Sequence, residues 1–209
     1  MAPRKGEEKM PIHKNREYRA MSVPLAVSGS ARRLESEHYV EGYATTFTTP
    51  YLLYEWDGVK YYERIDKDAL NGADMSDVIF LYNHEGRVLA RQSNHTLGIE
   101  PDSKGLFVYA DLSKSDAAKE MYNDISQGLV TQMSWAFTIA EESYDNEART
   151  YTILRVKKIY DVSAVSIPAN NDTEIAARRF AQRGAEEQQE LLGRRARLLK
   201  LKIILEAYL

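Results

Sequence analysis

The 209-residue chain has no cysteine, which excludes a disulfide framework, a thiol nucleophile and a cysteine-ligated zinc site, and suits a reducing compartment. Long apolar runs are missing as well. No stretch approaches the roughly 18 apolar residues of a membrane-spanning helix, and the polar segment Met1 to Lys14 lacks the basic-then-apolar pattern of a secretory signal, so a soluble, cytoplasmic protein with no membrane partner is expected. Histidine is scarce, with four in all. No two of them have metal-ligand spacing and no His-Glu-x-x-His occurs, so neither a metal nor another cofactor is expected. A Gly-x-Ser-x-Gly elbow is also absent, which argues against an α/β-hydrolase esterase.

What is present is a chain of 44% hydrophobic residues, enough for one sizeable core and a single main domain with appended segments. The net charge of −3 is unevenly spread: residues 36–171 hold 21 acidic and 12 basic side chains, residues 1–35 hold 4 and 8, and residues 172–209 hold 6 and 8. An acidic body thus carries two mildly basic arms, which serve either as solvated surface or as docking segments for an acidic protein. Neither arm interleaves aromatics with Lys and Arg as single-strand binders do, so no specific nucleic-acid partner is expected.

The periodicity predicts a disordered arm over residues 1–16, then strands over Glu17–Leu25 and His38–Phe47, with Ser28-Gly29-Ser30 as a loop between them. Asp57-Gly58, between the aromatic segments of Tyr51–Arg64, signals a hairpin. Val78–Tyr82 reads as a buried strand, and period-2 alternation places His84 on the pleat face of Val78, Phe80 and Tyr82. Two strands are expected around Asp102-Ser103-Lys104-Gly105. From Ser113 to Gln127 the period becomes helical, with Ala118, Met121, Tyr122, Ile125 and Leu129 on one stripe, Ser113 and Asp116 at capping-box spacing, and Gly128 just past the end.

The strand Thr131–Ala140 follows, with Met133, Trp135, Phe137 and Ile139 anchoring one face and Gln132, Ser134, Ala136 and Thr138 forming a small, polar face suited to an open cleft. Strand segments over Thr150–Tyr160 and Val162–Ile167 come next, and Pro168-Ala169-Asn170-Asn171 reads as a stop. Beyond Asp172 the composition is helical. Leu191, Leu198, Leu201, Leu205 and Tyr208 make a heptad-like stripe, broken by Gly193, that packs on its own domain or binds a partner.

Three polar residues associated with these strands could together form a serine nucleophile system: His84 as base, Ser134 as nucleophile and Asp161 as the acid that orients the base. The spacing leaves rivals open. Ser163 and Ser166 lie close to Asp161, and His13, His38 and His95 are alternative bases. Arg155 is a candidate electrostatic helper, although a strand arginine is more often solvated.

Several ordered segments carry a family resemblance: Val40-Glu41-Gly42-Tyr43-Ala44, Asn83-His84-Glu85, Asn94-His95-Thr96-Leu97 with Gly105-Leu106, Met133-Ser134-Trp135-Ala136-Phe137, and Asp161-Val162-Ser163-Ala164-Val165 with Ile167-Pro168-Ala169-Asn170. In this order and spacing, over roughly residues 17–175, the chain resembles the tailed-phage prohead maturation proteases, a group similar to the herpesvirus assemblin-like serine proteases. Two departures stand out. Arg87-Val88-Leu89-Ala90-Arg91 replaces a more usual Leu-Gly-Arg, and His95 stands where glycine is more common.

The resemblance implies an antiparallel β-barrel with flanking helices; with the helical composition beyond Asp172, an α+β protein with a helical C-terminal extension is expected. The resemblance covers the expected serine protease domain, 17–175, and leaves outside it the basic arm 1–16 and a helical extension 176–209 expected to bind a partner or be self-cleaved. By position, Ser134 matches the family nucleophile, His84 the base and Asp161 the third member, where relatives often carry Glu. The implied activity is endopeptidase processing of the major capsid protein, its scaffolding segment and the enzyme itself, inside the prohead in the bacterial host cytoplasm. The portal protein is a further expected contact, and self-association is expected. The competing expectation is a catalytically silent assembly or scaffolding protein of the same fold.

Overall fold

The computed structural model describes residues 16–27 and 32–166, with Arg197 and Lys200. The first sheet contains β1 (Glu17–Pro24), β10 (Gln132–Asp145), β11 (Thr150–Val165), β5 (Val59–Ile65) and β4 (Tyr51–Trp56), in that order, with β6 (Ile79–Tyr82) also on β11 and β7 (Glu85–Arg91) on β6. The second sheet runs β2 (Ala26–Val27), β3 (Tyr39–Thr46), β9 (Gly105–Asp111), β8 (Leu97–Pro101). The chain passes between the sheets at Leu25, whose N–H donates to the Thr131 carbonyl at 2.9 Å. The helix α1 (Asp116–Ser126) leads into β10.

The expected mainly antiparallel, strand-rich architecture is found, but not the closed barrel. Among the described residues β1, β4, β7, β8 and β2 each have a single strand partner, so neither sheet closes on itself. The long strand β11 also pairs in parallel with β5 at Thr150–Ile153 and with β6 at Asp161–Ala164. The two segments expected across Thr150–Ile167 are therefore one strand, while β7 forms where no strand was expected. Expectations for residues 1–15, Ser28-Gly29-Ser30, Pro168–Asn171 and the C-terminal stripe lie outside the described residues.

Local chemistry accounts for most element boundaries. Asp57 and Gly58 take φ of 50° and 74° in the β4–β5 hairpin, the positive pair a two-residue type I′ turn requires. The helix starts two residues later than its sequence signal. Its N-cap is Ser115, not Ser113, and the Ser115 side chain accepts from the Ala118 N–H at 3.2 Å. Ser113 instead gives its N–H to Asp111. Gly128 takes the expected left-handed conformation, φ 73°, and because the helix has ended, Leu129 is exposed rather than on the buried stripe of Ala118, Met121 and Ile125.

The core is built on β10. Met133, Trp135 and Phe137 are fully buried on the anticipated face, with the Trp135 and Phe137 rings stacked at 3.9 Å between centroids. Such aromatic packing adds to the area buried and holds the strand in register. The neighbouring positions of β10 are thus fixed relative to β1 and β11.

Candidate active site

The hairpin between β6 and β7 places the first residue of the site. Tyr82 pairs with Glu85, and the two residues between them, Asn83 and His84, have φ of 49° and 61°. Asparagine and histidine are among the non-glycine residues most tolerant of this region. His84 is therefore a turn residue and not part of the pleat face of Phe80, because strand alternation ends at Tyr82. The turn rests on β11: the Asn83 N–H donates to the Ala164 carbonyl at 3.0 Å and the His84 N–H to Ser163 Oγ at 3.1 Å.

The register of β10 and β11 supplies the other side chains. Ser134 stands opposite Ser163 and Ala136 opposite Asp161, with a bulge between Ala136 and Phe137. Asp161 is buried at 3% exposure. The His84 ring bridges the two strands. Its Nδ1 lies 2.5 Å from Asp161 Oδ1 and its Nε2 lies 2.6 Å from Ser134 Oγ, while Tyr18 packs edge-on against it at 4.7 Å.

With a proton on Nδ1 directed at the carboxylate, Nε2 presents a lone pair to the serine hydroxyl. The Arg19 carbonyl, 3.0 Å from Ser134 Oγ, is a second acceptor for the same proton. That carbonyl is held by its own strand: β1 pairs with β10, and the Arg19 side chain makes a buried bidentate ion pair with Glu63, Nε–Oε1 2.6 Å and Nη2–Oε2 2.9 Å. Burial works to lower the Arg19 guanidinium pKa, but the charge and hydrogen bonds of Glu63 hold it above its ordinary value. Tyr51 also donates to Glu63, and burial followed by the Glu63 charge pushes its phenol well up.

The small face of β10 is not an open cleft. Ser134 has 0% exposure because β1 and the His84 turn cover it. An indentation of about 800 Å³ is lined by Arg16, Tyr18, Leu81, His84, Tyr160 and Asp161 among others, and Ser134 does not line it.

The structure brings Ser134, His84 and Asp161 together and leaves most rivals apart. Ser166 is exposed, its hydroxyl 3.4 Å from that of Tyr82. His38 packs against Tyr122, and His95 is an exposed turn residue at φ 60°. That positive φ is one that glycine adopts without steric cost. Arg155 is exposed and paired with Glu141 at 3.0 Å, and His13 lies outside the described residues. Ser163 does belong to the cluster, but on the Nδ1 side of the ring. Among the described residues no group of three or more His, Cys, Asp or Glu side chains is placed to hold a metal, and no helix is long and apolar enough to cross a membrane.

A hydroxyl, an imidazole and a carboxylate in hydrogen-bonded series form the kind of arrangement with which serine hydrolases activate a nucleophile. The chain matches the family described as Caudovirus prohead serine protease over residues 27–188 and belongs to that family. It is accordingly a serine protease of phage capsid maturation. No curated protein and no solved structure matches it.

Proposed function

We propose that Ser134 is the nucleophile, His84 the general base and Asp161 its orienting acid, in an endopeptidase that cuts the major capsid protein, its scaffolding segment and itself. The observation that carries this reading is the single imidazole held at 2.6 Å from Ser134 Oγ and 2.5 Å from Asp161 Oδ1. Ser134 Oγ attacks the scissile carbonyl as Nε2 takes its proton. The imidazolium, stabilised by Asp161, returns that proton to the departing amine, and water then cleaves the acyl-enzyme by the same route.

Because Ser134 is fully covered, attack requires β1 or the His84 turn to yield. Movement of β1 also withdraws the Arg19 carbonyl that competes for the serine proton. The cleft beside Tyr18 and His84 is the adjacent space for a peptide. The protease domain spans 17–175 in this proposal, and self-cleavage falls in 1–35 or 176–209, where Gly, polar and charged residues favour accessible backbone. The assemblin-like relationship belongs to the same proposal.

Co-expression of the full chain with its capsid protein, followed by mass measurement of both, tests activity, substrate and self-cleavage together. Trimmed capsid protein and a shortened enzyme are expected with the wild-type chain and neither with Ser134→Ala. An uncut capsid protein in both cases would favour the silent assembly role.

A further inference from the structure

We infer that Ser163 is a positioning residue for His84 and Asp161, and this rests on the proposed roles of Ser134, His84 and Asp161. Ser163 is fully buried, and its Oγ lies within hydrogen-bond distance of three site atoms: the His84 backbone N at 3.1 Å, Asp161 Oδ1 at 3.1 Å and His84 Nδ1 at 3.2 Å.

Proton accounting assigns the direction of each contact. A serine hydroxyl has one proton to give and two lone pairs to accept with. The His84 N–H can only donate, so it uses one lone pair of Ser163. The carboxylate can only accept, so the Ser163 proton goes to Asp161 Oδ1. Nδ1, 2.5 Å from the same Oδ1, carries its own proton toward the carboxylate and does not accept from Ser163. This leaves Nε2 as the acceptor facing Ser134, the tautomer a general base needs.

The hydroxyl therefore acts on two groups at once. It fixes the carboxylate oxygen that receives the imidazole proton, and it ties down the backbone from which the imidazole projects. The second action matters because His84 has φ 61°, a sparsely populated region for a non-glycine residue that persists where its surroundings over-determine it. Without the Ser163 hydroxyl the His84 N–H loses its acceptor and Asp161 Oδ1 loses a donor. Ser163 is also separated from the nucleophile role by the same geometry, since the nitrogen it approaches is already committed to Asp161.

The test uses the full chain and a fluorophosphonate probe, which the activated serine attacks at phosphorus, forming the Oγ–P bond and expelling fluoride as the base takes the proton. Ser163→Ala is expected to label about a hundredfold more slowly than wild type, the scale of a misplaced catalytic group, while its thermal unfolding stays cooperative. Ser163→Thr, which keeps the hydroxyl, is expected to restore most of the rate. In histidine-labelled protein the low-field proton resonance of His84 Nδ1–H is expected in wild type and the Thr variant and to be lost or broadened in the Ala variant.

Wild-type labelling rate and an unchanged Nδ1–H resonance in Ser163→Ala would overturn the positioning role while leaving the proposed nucleophile intact. Labelling that persists in Ser134→Ala, or is absent from the wild-type chain, would overturn the underlying assignment and the positioning role with it.

Discussion

Ser134 and Ser163 stand directly opposite each other on β10 and β11 and contact opposite nitrogens of one imidazole, Ser134 at Nε2 and Ser163 at Nδ1. Adjacency to Asp161 made Ser163 a reasonable rival in the sequence, but adjacency does not reveal which nitrogen a hydroxyl meets. Ser134→Ala is therefore expected to abolish capsid-protein trimming, with a rate loss of orders of magnitude, and to leave the fold intact because the anchoring Met133 and Trp135 are untouched. Mass measurement after co-expression checks it. Wild-type trimming by the Ala variant would remove Ser134 as nucleophile.

His84 and Asp161 should separate by degree. The base acts in every turnover, so His84→Ala is expected to be nearly as damaging as the serine change. Asp161→Asn alters the tautomer and removes the charge behind the imidazolium, a loss on the order of 10⁴-fold in the serine-protease precedent, with measurable residual cleavage. Asp161→Glu keeps the charge and should retain more activity than Asn. Initial rates on the capsid protein rank the three; equal rates for Asn and Glu would place the third member elsewhere.

The strands, the α1 stripe and the three candidate residues were legible because alternation, helical period and ordered segments are local signals. Pairing was less so. The parallel contacts of β11 with β5 and β6 join residues about 80 or more positions apart in sequence, and no local pattern encodes them. Ending the strand at Tyr82 is right, but alternation does not reach His84, because Asn83-His84 is a turn without the glycine that makes Asp57-Gly58 recognisable. The burial of Ser134 depends on β1, whose position follows from pairing with β10 and from the Arg19–Glu63 contact across the sheet. A small polar strand face is equally compatible with a cleft or with a covering strand.

That buried ion pair gives a stability prediction. Arg19→Ala leaves Glu63, 1% exposed, without its cation, and breaking one side of a buried pair costs about 3–5 kcal/mol. Replacing both partners, Arg19→Met with Glu63→Leu, removes the stranded charge and is expected to recover most of that loss. Urea denaturation of the two variants measures the difference. A double variant no more stable than Arg19→Ala would show that the neighbouring polar groups, Tyr51 above all, demand the charges.

Acid should expose a second anchoring point, at the end of β9. Asp111 accepts from the Ser36 hydroxyl and the Ser113 N–H and pairs with Lys114 at 3.1 Å. Burial pushes its carboxyl up, but the bonds from Ser36 and Ser113, aided by Lys114, outweigh it and bring the pKa down to about 2 from the ordinary 3.8. A carboxyl depressed on folding contributes stability that is complete above its unfolded value and is lost as pH falls through the folded one. The contribution should therefore fade between about pH 4 and pH 2. Asp74, Asp77 and Asp102 are also held down by their partners, so the wild-type slope contains them all, and the comparison with Asp111→Asn isolates this one. Urea midpoints at pH 5, 4, 3 and 2.5 are expected to fall less steeply in the Asn variant, which starts less stable at pH 5 and converges on wild type in acid. Parallel curves would mean that the Asp111 carboxylate contributes no pH-dependent stability.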